Sequence, residues 1–156
     1  MEELHKALMK HYLVKDTKET PFVFPKDPEP VLKQLLFTLN YLMERGYTLS
    51  VICLSDFVFR DNILFLKKKT HWVELDKGPY SVESKESKES KEKCFVPEGK
   101  DSLTMTYASV GLFAFYLWTR KTKTTLTESD YGKLKGTKVY YFIKNTLETN
   151  PILLYL

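Results

Sequence analysis

Histidine is scarce in this chain and cysteine scarcer still. Two cysteines, Cys53 and Cys94, in 156 residues make no disulfide framework. They read as reduced thiols of the kind cytosolic and nuclear proteins carry. His5, His11 and His71 show no metal-ligand spacing, and His5 and His11 do not share a helix face. Neither cysteine has a neighbouring cluster of ligands or bases, which removes the usual setting for thiol catalysis. Glycine never occurs as Gly-x-Gly-x-x-Gly, so the phosphate-cradling turn that motif builds is missing. The most apolar run, Tyr107 to Trp118, falls short of the roughly 20 residues needed to cross a bilayer. The opening MEELHKALMK lacks the apolar core of a secretory signal, and neither end carries a lipidation motif. These absences predict an intracellular protein, cytoplasmic or nuclear, without a membrane anchor.

What is present suits one domain over residues 1–156. The chain is 43% hydrophobic and 14% aromatic, enough to fill a core. Its net charge of +4 is too mild to point to nucleic acid by itself. Leu4, Leu8, Met9 and Tyr12 predict a short amphipathic helix over residues 2–13. Four prolines over residues 14–30 mark a connector, with Phe22, Val23 and Phe24 expected to pack on the core. Val31, Leu32, Leu35, Leu36, Leu39, Leu42 and Met43 form a wide stripe of helical period. That helix is started by Asp27 or the turn around it and ended by Gly46. Ile63–Leu66 and His71–Leu75 read as two strands of a β-hairpin, with Lys67–Thr70 as its turn. Residues 81–93 repeat Ser-Lys-Glu and have no apolar residue after Val82, too little to offset the entropy of ordering. They read as a disordered surface loop, either a solvated spacer or a phosphorylatable docking loop. Residues 104–119 form a buried helix and residues 120–136 a polar loop. A last helix from Thr137 sets Val139, Phe142, Ile143 and Leu147 on one face. The class is mainly α with a small β-hairpin.

That order of elements resembles the C-lobe of protein kinases, through several short matches in sequence. LKQLLFTLNYLMERGY (32–47) looks like the long helix before the catalytic loop. ICLSDFVFRDNILFL (52–66) looks like that loop and the strand after it. Asn62 falls where the family keeps a metal-binding Asn, and Asp76-Lys77-Gly78 resembles the Asp-Phe-Gly segment, 14 positions from Asn62 to Asp76. Val96-Pro97-Glu98 resembles the Ala-Pro-Glu that closes the activation segment. TYASVGLFAFYLW (106–118) is similar to the buried helix of the lobe, and NTLETNP (145–151) to its final helix.

The departures carry as much weight as the matches. The family's catalytic base corresponds here to Phe57, which cannot accept a proton. Asp56 lies one position away. The loop His corresponds to Ser55, the Asp of the buried-helix motif to Thr106, and the Arg that pairs with Glu98 to Leu154. The N-lobe elements, a Gly-rich loop and a Lys–Glu pair, find no match. The resemblance therefore implies a module without phosphoryl-transfer activity, similar to the kinase non-catalytic C-lobe domain. It would act as a scaffold or adaptor that binds a protein partner. Asn62 and Asp76 remain as a vestigial Mg²⁺ site, leaving room for only weak Mg²⁺–ATP binding. Two alternatives stand beside this reading. One is a residual nucleotide-binding pseudokinase, or the C-lobe of a split kinase. The other is a basic nucleic-acid-binding protein, suggested by Lys67-Lys68-Lys69 and by Arg120-Lys121-Thr122-Lys123.

Overall fold

The computed structural model describes residues 13–14, 24–60, 63–67, 73–74, 94–97 and 102–148. Helices dominate. Helix α1 spans Glu29–Glu44 and buries Val31, Leu32, Leu35, Leu36, Leu39 and Leu42 on one side. Burying each of these side chains contributes about 1.5–3 kcal/mol. At its start, Asp27 accepts a hydrogen bond from the Glu29 backbone N–H at 3.1 Å, and Pro30 suits the first turn, where no N–H is required. At its end, Gly46 adopts φ +86° and donates its N–H to the Met43 carbonyl. A side chain at that φ would strain the turn.

Helix α2, Ser102–Thr119, is the centre of the molecule. Every residue from Met105 to Phe115 is buried, which explains why its sequence is apolar all round. Helix α4, Lys138–Glu148, packs along it. Gly111 makes this approach close, because a Cβ there would run into Thr146 and Leu147. Val139, Phe142 and Ile143 are buried in the same core, and Leu147 packs at its margin. A salt bridge of 2.7 Å between Lys138 and Glu29 ties the start of α4 to the start of α1.

Before α1, and between α1 and α2, the described residues form short strands. Strand β1 (Leu13–Val14) pairs in parallel with β5 (Ile63–Lys67), and β5 pairs antiparallel with β4 (Phe57–Arg60). Strand β2 (Tyr47–Thr48) pairs with β6 (Val73–Glu74), and β3 (Ile52–Cys53) with β7 (Cys94–Phe95), both antiparallel.

The hairpin is not the one the sequence suggests. Ile63–Lys67 is a strand, but its hairpin partner is Phe57–Arg60, and Val73–Glu74 pairs with Tyr47–Thr48 instead. The β-prone Phe57-Val58-Phe59-Arg60 pairs with Ile63-Leu64-Phe65-Leu66, a run only two positions further along the sequence, which is the commonest hairpin spacing. A strand thus stands at 57–60 where the resemblance expects a loop. Leu13 belongs to a strand, not to a helix reaching residue 13, while residues 1–12 lie outside the described ones. Within the polar stretch 120–136 a short helix, α3, forms at Glu128–Gly132 behind a Thr127/Asp130 capping box. Capping needs only the local pair Thr-x-x-Asp, so no apolar periodicity announces it.

Candidate functional site

The segment leaving α1 runs under the central helix. Leu49, Val51, Ile52 and Cys53 are buried, and so are the polar Thr48 and Ser50. Such short strands leave backbone groups that must be satisfied inside the protein, and two hydroxyls of α2 supply the partners. Thr106 Oγ1 lies 3.0 Å from the Leu49 carbonyl and 3.1 Å from the Ser50 carbonyl, sharing its single proton between them. Ser109, one turn on, accepts a hydrogen bond from the Ile52 N–H at 2.7 Å and donates to the Phe95 carbonyl. Ile52 and Phe95 are cross-strand partners, so one serine hydroxyl clamps β3 and β7 together against α2.

Beside this clamp, Cys53 and Cys94 are joined by a disulfide. This corrects the expectation of reduced thiols. The two residues sit directly opposite each other on β3 and β7, an adjacency that a separation of 41 residues conceals in the sequence. Cys53 is buried with Val51 and Met105, and Val73, Cys94 and Val96 pack against that small cluster.

Phe57, at the position corresponding to the family's base, is only 5% exposed and belongs to the main core. Asp56 ends a single 3-10 turn, Leu54–Asp56, and is half-buried. Pro97 is buried and Val96 half-buried. Asn62, Asp76, Lys77, Gly78 and Glu98 lie outside the described residues, as does the Ser-Lys-Glu stretch 81–93. Among the described residues no group of three or more His, Cys, Asp or Glu could hold a metal ion. A cleft lined by Glu29, Trp118, Thr137, Lys138 and Val139 encloses about 160 Å³, well below the roughly 300 Å³ at which small-molecule sites begin.

Two large aromatic side chains stand out on the surface. Phe37 on α1 is 56% exposed and Tyr141 on α4 is 67% exposed. Phe37 lies in a row at four-residue spacing, Lys33, Phe37 and Tyr41 on α1 and Arg45 just past its end. The Arg45 guanidinium covers the Tyr41 ring at 3.5 Å from its centroid, a contact worth about 0.5–1 kcal/mol at an exposed position. Tyr141 stacks edge-on against Tyr140, with ring centroids 5.1 Å apart. Tyr116 and Trp118, read as core residues from their helix, are only partly buried. Phe24 packs its ring on Tyr116 at 4.9 Å, as expected for the proline-rich connector. Sequence pattern identifies none of Ser109, Phe37 or Tyr141 as distinctive. The serine sits in an apolar run, and Phe37 and Tyr141 fall outside the apolar stripes of their helices with nothing in the sequence to set them apart from other surface positions.

Among the described residues no helix is long and apolar enough to cross a membrane. No protein-family model, no curated protein and no solved structure matches this chain.

Proposed function

We propose that this chain is a non-catalytic, kinase C-lobe-like module that binds a protein partner through the exposed aromatic side chains of α1 and α4. The observation that carries the binding role is the exposure of Phe37 and Tyr141. Both lie on helices whose other large apolar side chains are buried or half-buried, and aromatic residues are the commonest anchors of protein interfaces. The absence of catalysis is supported by Phe57. A buried phenyl ring takes the place of a carboxylate, and general-base chemistry has no group to run on. Thr106 is a departure from the C-lobe pattern that still has a structural task. It corresponds to the Asp of the family's buried helix, and it moors the segment leading into residues 52–57 through its hydroxyl.

The test is retention of partners from nuclease-treated extract of the native cell by the tagged full chain and by Phe37→Ala/Tyr141→Ala. One discrete protein held stoichiometrically by the wild type and lost in the variant is the expected result. Equal retention by both removes these aromatics from the interface. A thermal shift with MgATP that disappears in Asp76→Ala would replace this reading with the nucleotide-binding one.

A further inference from the structure

The salt bridge that joins the start of α4 to the start of α1 borders the cleft lined by Glu29, Trp118, Thr137, Lys138 and Val139. Trp118, near the end of α2, packs partly buried against the main core, and Val139 is buried within it. These two give the cleft its apolar lining. Its charges belong to Glu29 and Lys138, and each already answers the other. Lys138 Nζ lies 2.7 Å from Oε1 of Glu29, and Lys33 Nζ lies 3.5 Å from the same oxygen. A cation entering here would compete with two ammonium groups for one carboxylate. An anion would have to take Lys138 from its partner. A neutral occupant disturbs neither.

Size and lining narrow the choice. The cleft encloses about 160 Å³, too little for a drug-sized ligand, yet an apolar cavity of about 150 Å³ is enough to take up a benzene ring. The Trp118 indole favours a ring over an aliphatic chain of similar bulk, because aromatic pairs attract one another beyond the area they bury. The position also suits a partner segment. Tyr141 follows Lys138 by three positions, which sets both on one face of α4. Phe37 continues the α1 row that begins with Glu29 and Lys33, about 12 Å along the helix from Glu29. The rows that carry the two exposed aromatics therefore begin together at this cleft.

We infer that the cleft between the starts of α1 and α4 receives one phenylalanine side chain of the bound protein segment, with its ring against Trp118. The inference rests on the protein-binding reading above and names the residue that such a segment presents. Interfaces of this kind commonly seat one aromatic anchor in a pocket and surround it with contacts of smaller effect, here Tyr141 and Phe37.

The experiment is a nuclear magnetic resonance titration of the full ¹⁵N-labelled chain with N-acetyl-phenylalaninamide. The readouts are the Val139 backbone amide and the Trp118 indole N–H, which Trp72→Phe distinguishes from the other tryptophan of the chain. The expected result is a saturable shift of both resonances. N-acetyl-leucinamide should bind roughly three- to tenfold more weakly, and the arginine and glutamate counterparts should leave both resonances in place. Trp118→Leu, followed on the Val139 amide, should abolish the preference for the ring over leucine. The absence of a saturable shift up to the solubility limit overturns the inference. Equal affinity for the phenylalanine and leucine probes overturns it as well, leaving a generic apolar cleft, and so does a charged probe that binds as tightly. If Trp118→Leu loses the helical circular dichroism of the wild type, the comparison of the four probes on the wild type decides alone. These failures are separate from failure of the protein-binding reading, which is judged on the Phe37→Ala/Tyr141→Ala variant.

Discussion

Removing the Cys53–Cys94 bond should lower stability by an amount set chiefly by the unfolded chain. The cross-link spans 41 residues, and the loop-closure entropy of a segment that long corresponds to about 4 kcal/mol at 25 °C. For a chain of this size each kcal/mol moves the melting temperature by about 2–4 °C, so the expected loss is roughly 8–16 °C. The folded state should survive, because the Ser109 hydroxyl still joins Ile52 and Phe95 to α2. Urea unfolding followed by far-UV circular dichroism is the assay, comparing oxidised protein, reduced protein and Cys53→Ala/Cys94→Ala. The urea slope should also steepen without the bond, since an uncross-linked chain exposes more surface on unfolding. A midpoint unchanged on reduction, with the bond present by mass before and absent after, would refute this reasoning. It would mean that the bond restrains little of the unfolded chain or strains the folded one by a similar amount.

Thr106→Val should cost about 1–3 kcal/mol, the usual result of leaving buried acceptors unsatisfied, here the Leu49 and Ser50 carbonyls. The loss is read as a lower urea midpoint at unchanged secondary structure. Gly111→Ala should cost roughly 1–3 kcal/mol by overpacking, since the new methyl meets the Thr146 hydroxyl on α4, and combining it with Thr146→Ala, which removes that hydroxyl, should recover part of the loss. Asp130 is held below its ordinary value chiefly by the Thr127 backbone N–H, then by the Thr127 hydroxyl and by Lys123 and Lys133. A lowered carboxylate contributes stability that is present above its unfolded value and is lost as pH falls through its folded value. Melting temperature should therefore drop on the acid side of the ordinary value of 3.8, and Asp130→Asn should flatten that part of the profile. Leu35→Ala and Leu39→Ala, both at the buried centre of α1, should each cost about 2–5 kcal/mol.

Helices were the most legible part of this chain. The apolar period of residues 31–43 and the all-round apolarity of residues 104–119 depend only on which side chains must leave water, and the helices Glu29–Glu44 and Ser102–Thr119 follow from them. Gly46 marked the end of the first helix because only its backbone accepts that φ cheaply. Phe57 was legible as a residue unable to act as a base, and its burial agrees with its apolar chemistry.

Pairing was another matter. Two-residue strands carry no period, so nothing local says that Thr48 faces Val73 or that Ile52 faces Phe95. The same blindness made the cysteines look unpaired, since a disulfide depends on distance in space and Cys53 and Cys94 are far apart in sequence. Ser109 and Thr106 read as minor interruptions of an apolar helix until the strands beneath them supply the carbonyls and the N–H they bind. Lys123 reads as a solvated charge until the cap of α3 brings the Asp130 carboxylate beside it. Composition and period therefore determined which segments become helices and which side chains fill the core. Only the tertiary structure decided which distant backbone groups, thiols and charges meet, because those contacts depend on how the helices pack and not on any preference of the residues that make them.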